Sequence, residues 1–327
     1  IKNIIFKFIE NSQALEANLL SGAIDMIGEQ GISFDQAVAL EKRISADPKL
    51  AAQYKVIFKE GPIYEHIGFN HDSPLLANAN VRKALLYGID RDSLVQSLFQ
   101  GRQKVANSYA HPLDPNATAE VTKYSYKPQL SMELLEKAGW KVPAGSTDGI
   151  REKNGERLSI QISSTAENRT RELVEVYLKE QLKAVGVELT IKNYPARVFF
   201  GDIVNKRKFS DLTMFALQSG PDAAPYTALY SGEIPTKENG WGGQNYGAFR
   251  NPKFDEILDG LLLEFDASKR KALHKELQQR YTSTLPRLPL YWRATVVVVP
   301  TNLENYRVAG HQYYANYESP NWRLASK

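Results

Sequence analysis

Apolar positions along the chain repeat with two periods. Two-residue alternation and short β-branched runs predict strands at residues 4–9, 24–27, 54–58, 64–70, 158–163, 187–194, 212–217 and 290–299. A spacing of three and four predicts helices at 12–20, 33–44, 81–88, 92–100, 131–137, 167–184, 196–205, 252–263 and 268–282. Elements alternating in this way argue for an α/β architecture, with sheets covered by helices.

The clearest unit is strand 158–163, helix 167–184 and strand 187–194. Leu173, Val176, Tyr177, Leu178, Leu182 and Val185 form one broad apolar face, and Gly186 ends the helix. The two strands should lie parallel, joined by a right-handed crossover. Around residues 69–101 a strand runs into a proline-containing turn and two short helices. Asn80 and Asp90 stand where N-caps are needed, and Gly101 stands at the stop. Prolines at 112, 115 and 128 mark 112–129 as a long ordered loop, and residues 143–155 read as an exposed hairpin or loop.

Composition narrows the function classes. The chain has 327 residues, long enough for one large or two smaller domains. Hydrophobic content of 43% and charged content of 24% are those of a globular protein. Lys and Arg exceed Asp and Glu by 41 − 37 = 4, too small a margin to imply nucleic acid. The compact basic run Lys206-Arg207-Lys208 reads as a solvated helix end. The absence of cysteine removes disulfides, thiolate metal sites and cysteine nucleophiles. No apolar run approaches the ~20 residues that span a bilayer.

A search for chemistry finds no catalytic constellation. Histidines at 66, 71, 111, 274 and 311 never fall at metal-ligand spacing, so no metal or other cofactor is expected. His274 reads as a surface or half-buried residue, and His71 as a loop or cleft residue. Asp255, Glu256 and Asp259 share a helix and read as a solvated face. Loops after the carboxyl ends of strands in α/β domains face the ligand crevice. These loops carry Tyr109 and His111; Asn168 and Arg169; Gln218, Ser219, Asp222 and Tyr226; and, after the glycines at 240–243, Trp241, Asn245 and Tyr246.

Four segments in register carry a family resemblance. They are Phe69-Asn70-His71-Asp72-Ser73-Pro74 with Val81 to Arg91, Asn245-Tyr246-Gly247-Ala248-Phe249-Arg250-Asn251-Pro252-Lys253-Phe254-Asp255, the run from Asp266 to Leu285-Pro286-Arg287-Leu288-Pro289-Leu290-Tyr291, and Leu15 to Asp25 with Gly22-Ala23-Ile24-Asp25. Together they resemble the extracytoplasmic solute-binding proteins of peptide- and nickel-type ABC importers. The resemblance implies a two-lobed, type II periplasmic-binding-protein fold, with residues 1–68 and 293–327 in a first lobe whose N-terminal portion lies outside this chain. Residues 69–292 would be a complete second lobe, and the chain the C-terminal two-thirds of a longer protein. It implies capture of a short peptide or other small polar solute by clamshell closure, with Asn70 joining the binding surface, and delivery to permease transmembrane subunits by a periplasmic or extracytoplasmic monomer. A receptor-linked sensor or a hydrolase on the same shell are the rival readings. In peptide-binding members the loop matching 214–230 carries an aspartate for the ligand's α-amino group. Ser219 falls near that place and Asp222 three residues on, which leaves the amine site open.

Overall fold

The computed structural model of the chain describes residues 1–325 apart from 10, 30, 221, 223, 309–315 and 317. His311 therefore lies outside the described residues. The chain divides into two compact units, Ile1–Ile63 with Arg293–Lys327, and Tyr64–Trp292.

Ten strands are described: β1 (Tyr54–Phe69), β2 (Lys104–Val105), β3 (Glu152–Lys153), β4 (Glu156–Arg157), β5 (Ser159–Ser163), β6 (Glu188–Ile191), β7 (Leu212–Gln218), β8 (Arg287–Pro300), β9 (Leu303–Glu304) and β10 (Arg323–Leu324). Six of them form one sheet in the order β2-β8-β1-β7-β5-β6, and two short ribbons, β3-β4 and β9-β10, stand apart. β5 pairs in parallel with both β6 and β7. Helix Arg169–Lys183 makes the crossover between β5 and β6, as the apolar pattern predicts. Just past the end of β1, the Asn70 N–H donates to the carbonyl of Asp211, just ahead of β7 (2.8 Å), so β1 runs antiparallel to β7.

Several expectations change in the structure. Residues 4–9 form no strand: Phe8 is 95% exposed, and an apolar alternation without a neighbour to pair has no ladder to join. Residues 24–27 shrink to one bridge, Ile27 to Val298. The strands expected at 54–58 and 64–70 are one continuous strand, β1, because Gly61-Pro62 is spanned in extended form. Asn78, not Asn80, caps the helix Ala79–Tyr87, its side chain accepting from the Asn80 N–H (2.9 Å). Asp90 caps helix Arg91–Phe99 as expected, and the left-handed stop includes Gln100 (φ 54°) as well as Gly101 (φ 69°). The expected helix 196–205 continues from Ala196–Val198 into a π-helical turn, Phe199–Val204.

In the second unit one core joins Tyr64 and Trp292 to Phe249, Phe254, Leu258, Leu277 and Tyr281. It packs helices Pro252–Leu263 and Ala267–Thr284 on the strands. A smaller cluster of Phe199, Val204 and Phe215 fixes the π-helical turn. The other unit has its own cluster, Val297, Val299, Leu303 and Trp322.

Candidate functional site

Because β5, β6 and β7 are parallel, their carboxyl ends open at the same end of the sheet. That end is built from the chain following Ser163 and Gln218. The Asn168 side chain caps helix Arg169–Lys183 by accepting from the Arg171 N–H (3.1 Å). This leaves the exposed Arg169 at the helix mouth, in a loose 3.7 Å pair with Glu172. Arg171 turns inward instead. Its Nε donates to Glu65 Oε1 (2.6 Å) and its Nη1 to Thr165 Oγ1 (2.8 Å), all three residues being buried. Beside them Ser164 donates its hydroxyl to the Met214 carbonyl (2.7 Å), and its N–H to Asn193 Oδ1 (2.8 Å). Asn193 in turn donates to Glu175 Oε2 (2.7 Å). Burial pushes the Glu175 carboxyl up to about 7, with Glu172 and Glu65 adding to the rise while Asn193 and Arg171 oppose it.

At the end of β7, Gln218 is exposed and the following Ser219 buried. Asp222 takes a left-handed conformation (φ 54°), and its Oδ1 accepts from Asn116 Nδ2 (2.8 Å), Arg270 Nε and Nη2 (3.2 and 3.1 Å) and His274 Nε2 (3.1 Å). Desolvation works to raise the carboxyl, but Arg270 first and His274 second outweigh it and hold Asp222 below the usual carboxylate range. Arg270 also donates to the carbonyls of Leu261 (2.5 Å) and Glu264 (3.0 Å), closing the end of helix Pro252–Leu263. Asp222 is thus already matched to a guanidinium of its own chain. His274, expected at the surface or half-buried, is fully buried against it.

The remaining expected site residues scatter. Tyr109 is buried edge-on to Tyr281 (centroids 5.1 Å apart), and His111 edge-on to Trp292 (4.6 Å). His111 Nδ1 accepts from the Leu113 N–H (3.1 Å). Both residues are core, drawn there by the aromatic cluster around Tyr64 and Trp292. Tyr226 stacks on Tyr230 (4.5 Å, 15°), with both hydroxyls donating to Asp259. Trp241 is half-buried in a left-handed turn (φ 64°), its N–H donating to the Thr236 carbonyl. Asn245 is buried, and its amide bonds are spent on the Tyr230 and Phe249 backbone (2.7–3.0 Å). Asn70 donates to the carbonyls of Phe209 (3.3 Å) and Ser210 (2.9 Å), and the Tyr246 carbonyl accepts from Arg207. Asn70 and Tyr246 therefore sit at the opposite end of the sheet from Gln218. The crevice rule fails for Asn70 because β1 runs against its neighbours.

The structure thus brings Asn168, Arg169, Gln218 and Ser219 to one end of the sheet. It adds Glu65, Thr165, Arg171 and Glu175, which sequence reasoning missed. Their signal was weak: a charged residue one turn into a helix reads as solvated unless its partner, 106 positions away for Arg171 and Glu65, is known. The arrangement can offer hydrogen bonds, a helix N-terminus and exposed cations at Arg169 and, after β6, Lys192. No three His, Asp or Glu side chains among the described residues converge as metal ligands.

Residues 1–237 match the family described as bacterial extracellular solute-binding proteins, family 5 middle, and the chain belongs to that family. It is 25% identical to the oligopeptide-binding protein AppA of Bacillus subtilis (strain 168), over 99% of this chain and 56% of that protein. It is 27% identical to the nickel-binding periplasmic protein of Escherichia coli K12, over 69% of this chain and 42% of that one. The structure resembles the oligopeptide-binding protein of Thermus thermophilus, solved with a pentapeptide, at a TM-score of 0.77 and 30% identity, covering 91% of this chain and 52% of the other. The chain spans about half the length of the curated relatives it matches.

Proposed function

We propose that the chain forms part of the solute-binding component of an ABC importer, acting outside the cytoplasm as a monomer and handing its solute to permease transmembrane subunits. The two compact units would belong to the two lobes of the clamshell, with Tyr64–Trp292 as the second lobe. Membership of a solute-binding family supports capture and release over chemical turnover. A ligand preferring the closed form shifts the open–closed population by its differential affinity.

One observation carries the reading: three parallel strands point to the same end of the sheet, β7 running on past the level ends of β5 and β6, and the chain beyond them presents Arg169, Gln218 and Ser219. The solute class is a short peptide or another small polar molecule, as the relatives named for oligopeptides and nickel suggest. Asp222 is held by Arg270, which favours a solute recognised by neutral or helix-terminal hydrogen bonds over one anchored by an ammonium at that carboxylate. The test is to purify the full-length protein from its native host and identify what it releases on denaturation. Mass spectrometry should find one polar solute or peptide family in near-stoichiometric amount. Recovery of a reaction product from an added substrate panel, with no retained solute, would replace this reading by an enzymatic one.

A further inference from the structure

Asparagine followed by glycine occurs twice in the chain, at Asn154-Gly155 and Asn239-Gly240. Glycine has no Cβ to shield its backbone nitrogen, so that nitrogen can reach the carboxamide of the asparagine before it. Both pairs are exposed, and both glycines have positive φ, 82° and 65°. Sequence and exposure do not separate the two pairs. Their hydrogen bonds do.

Asn239 is tied on every side. Its Nδ2 donates to the Ile234 carbonyl (2.9 Å), its Oδ1 accepts from the Thr236 N–H (2.9 Å), and its own N–H donates to Thr236 Oγ1 (3.3 Å). The Gly240 N–H, whose nitrogen is the nucleophile in any attack on that carboxamide, donates to the Lys237 carbonyl (3.2 Å). Asn154 stands instead at the tip of the β3–β4 ribbon. The pairing of Lys153 with Glu156 leaves Asn154 and Gly155 as a two-residue turn. Both have positive φ (54° and 82°), as a type I′ hairpin requires. Among the described residues, nothing bonds the Asn154 carboxamide or the Gly155 N–H.

We propose that Asn154 is the site at which this chain deamidates, and that Asn239 is protected. The Gly155 nitrogen bonds to Asn154 Cγ as the Cγ–Nδ2 bond breaks, and its proton leaves with the amide nitrogen as ammonia. Water then opens the cyclic imide at either carbonyl, giving aspartate or isoaspartate at 154. In isoaspartate the main chain is one methylene longer, so the two-residue turn that sets the β3–β4 register is lost. The neighbouring contacts depend on that register. Lys153 Nζ donates to the Ala138 carbonyl at the end of helix Pro128–Lys137 (2.9 Å), and the Glu152 backbone exchanges two bonds with Lys141 (2.7 and 3.0 Å).

The test is to hold the folded 327-residue chain at mildly alkaline pH and follow both sites by peptide mapping. Asn154 should convert at least about tenfold faster than Asn239, whose hydrogen bonds must break before it can react. In urea, where neither site is held, the two should convert at similar rates. Equal rates in the folded chain, or an Asn239 that converts first, overturn the proposal. So does an Asn154 that stays intact while the urea-treated chain reacts, or a gap that persists unchanged in urea. Each conversion lowers the net charge of +4 by one, so ion exchange should show an acidic species accumulating. Asn154→Gly keeps a turn-forming residue and removes the amide, and the first acidic species should disappear with it. An acidic species that forms as fast in Asn154→Gly places the reaction elsewhere and overturns the proposal.

Discussion

At the scale of single residues, the polar groups that matter most are those that went inside. Glu175 lies on helix Arg169–Lys183, at a position that reads as solvated, yet it is 1% exposed and its Oε1 has no partner. Its carboxyl is raised to about 7, chiefly by burial. A raised folded-state value means the folded chain holds this proton more tightly than the unfolded chain. The associated stability is complete below the unfolded value near 4.5 and is lost as pH rises through about 7. Glu175→Gln keeps an acceptor for Asn193 without the titration. Urea midpoints should fall from pH 5 to pH 8 in the unmodified chain by the equivalent of about 1–3 kcal/mol, and the variant should lose most of that slope. Equal slopes in both would place the titrating group elsewhere. Asp222 makes a second case. Its side chain is half-exposed and paired with Arg270 and His274. Removing its charge should cost little stability, under about 1 kcal/mol for an exposed pair. In the full-length protein with its own solute, Asp222→Asn should weaken binding by no more than ~10-fold, the scale of a neutral hydrogen bond. A hundredfold loss confined to this variant would restore an amine as the solute's anchoring group.

At the scale of elements, the β5–helix–β6 unit was the best predicted part of the chain, and it shows where such reading stops. Apolar period placed the helix within two residues of its observed ends, and Gly186 at its stop. The buried face was only partly legible. Leu178, Leu182 and Val185 are buried and Leu173 and Tyr177 half-buried as expected, but Val176 is 56% exposed, and Arg171, Val174 and Glu175 face inward as well. Hydropathy marks which side chains can be buried cheaply, but the Glu65–Arg171 pair is buried by a contact that only the folded sheet creates. Asn245 is a similar case. Its sequence context resembles a ligand loop, and its amide instead stitches Tyr230 to Phe249. The Gly186 stop can be tested directly. Its φ is +87°, and an added Cβ would stand 2.7 Å from Arg151 Cγ and 2.9 Å from the Gly149 carbonyl. The side chain could swing away, the carbonyl could not. Gly186→Ala should therefore lower stability by about 2 kcal/mol or more, from the left-handed strain together with the clash. A loss under about 0.5 kcal/mol, the size of a neutral surface change, would mean that the turn relaxes and that the crossover is looser than its geometry indicates.

At the scale of the whole molecule, each compact unit carries its own apolar cluster, and β1 and β8 are the two strands that run through both. The second unit gathers one set of polar loops, at the carboxyl ends of β5, β6 and β7. One set of loops is one wall. The relatives that match this chain are longer, AppA of Bacillus subtilis being covered over only 56% of its length. In the proposed clamshell, affinity comes from contacts made on both sides at once, because a ligand shifts an equilibrium only by its differential interaction with the closed state. We therefore expect the 327-residue chain to fold, with a cooperative thermal transition, but to bind solute poorly. Titration calorimetry with the solute released from the full-length protein should give a Kd weaker than ~1 μM for this chain, equivalent to less than about 8 kcal/mol of binding free energy. The full-length protein should bind the same solute more tightly by at least about tenfold. Submicromolar binding by the 327-residue chain alone would show that Tyr64–Trp292 and its companion unit already contain the complete site. The lobe assignment would then have to be redrawn within these residues.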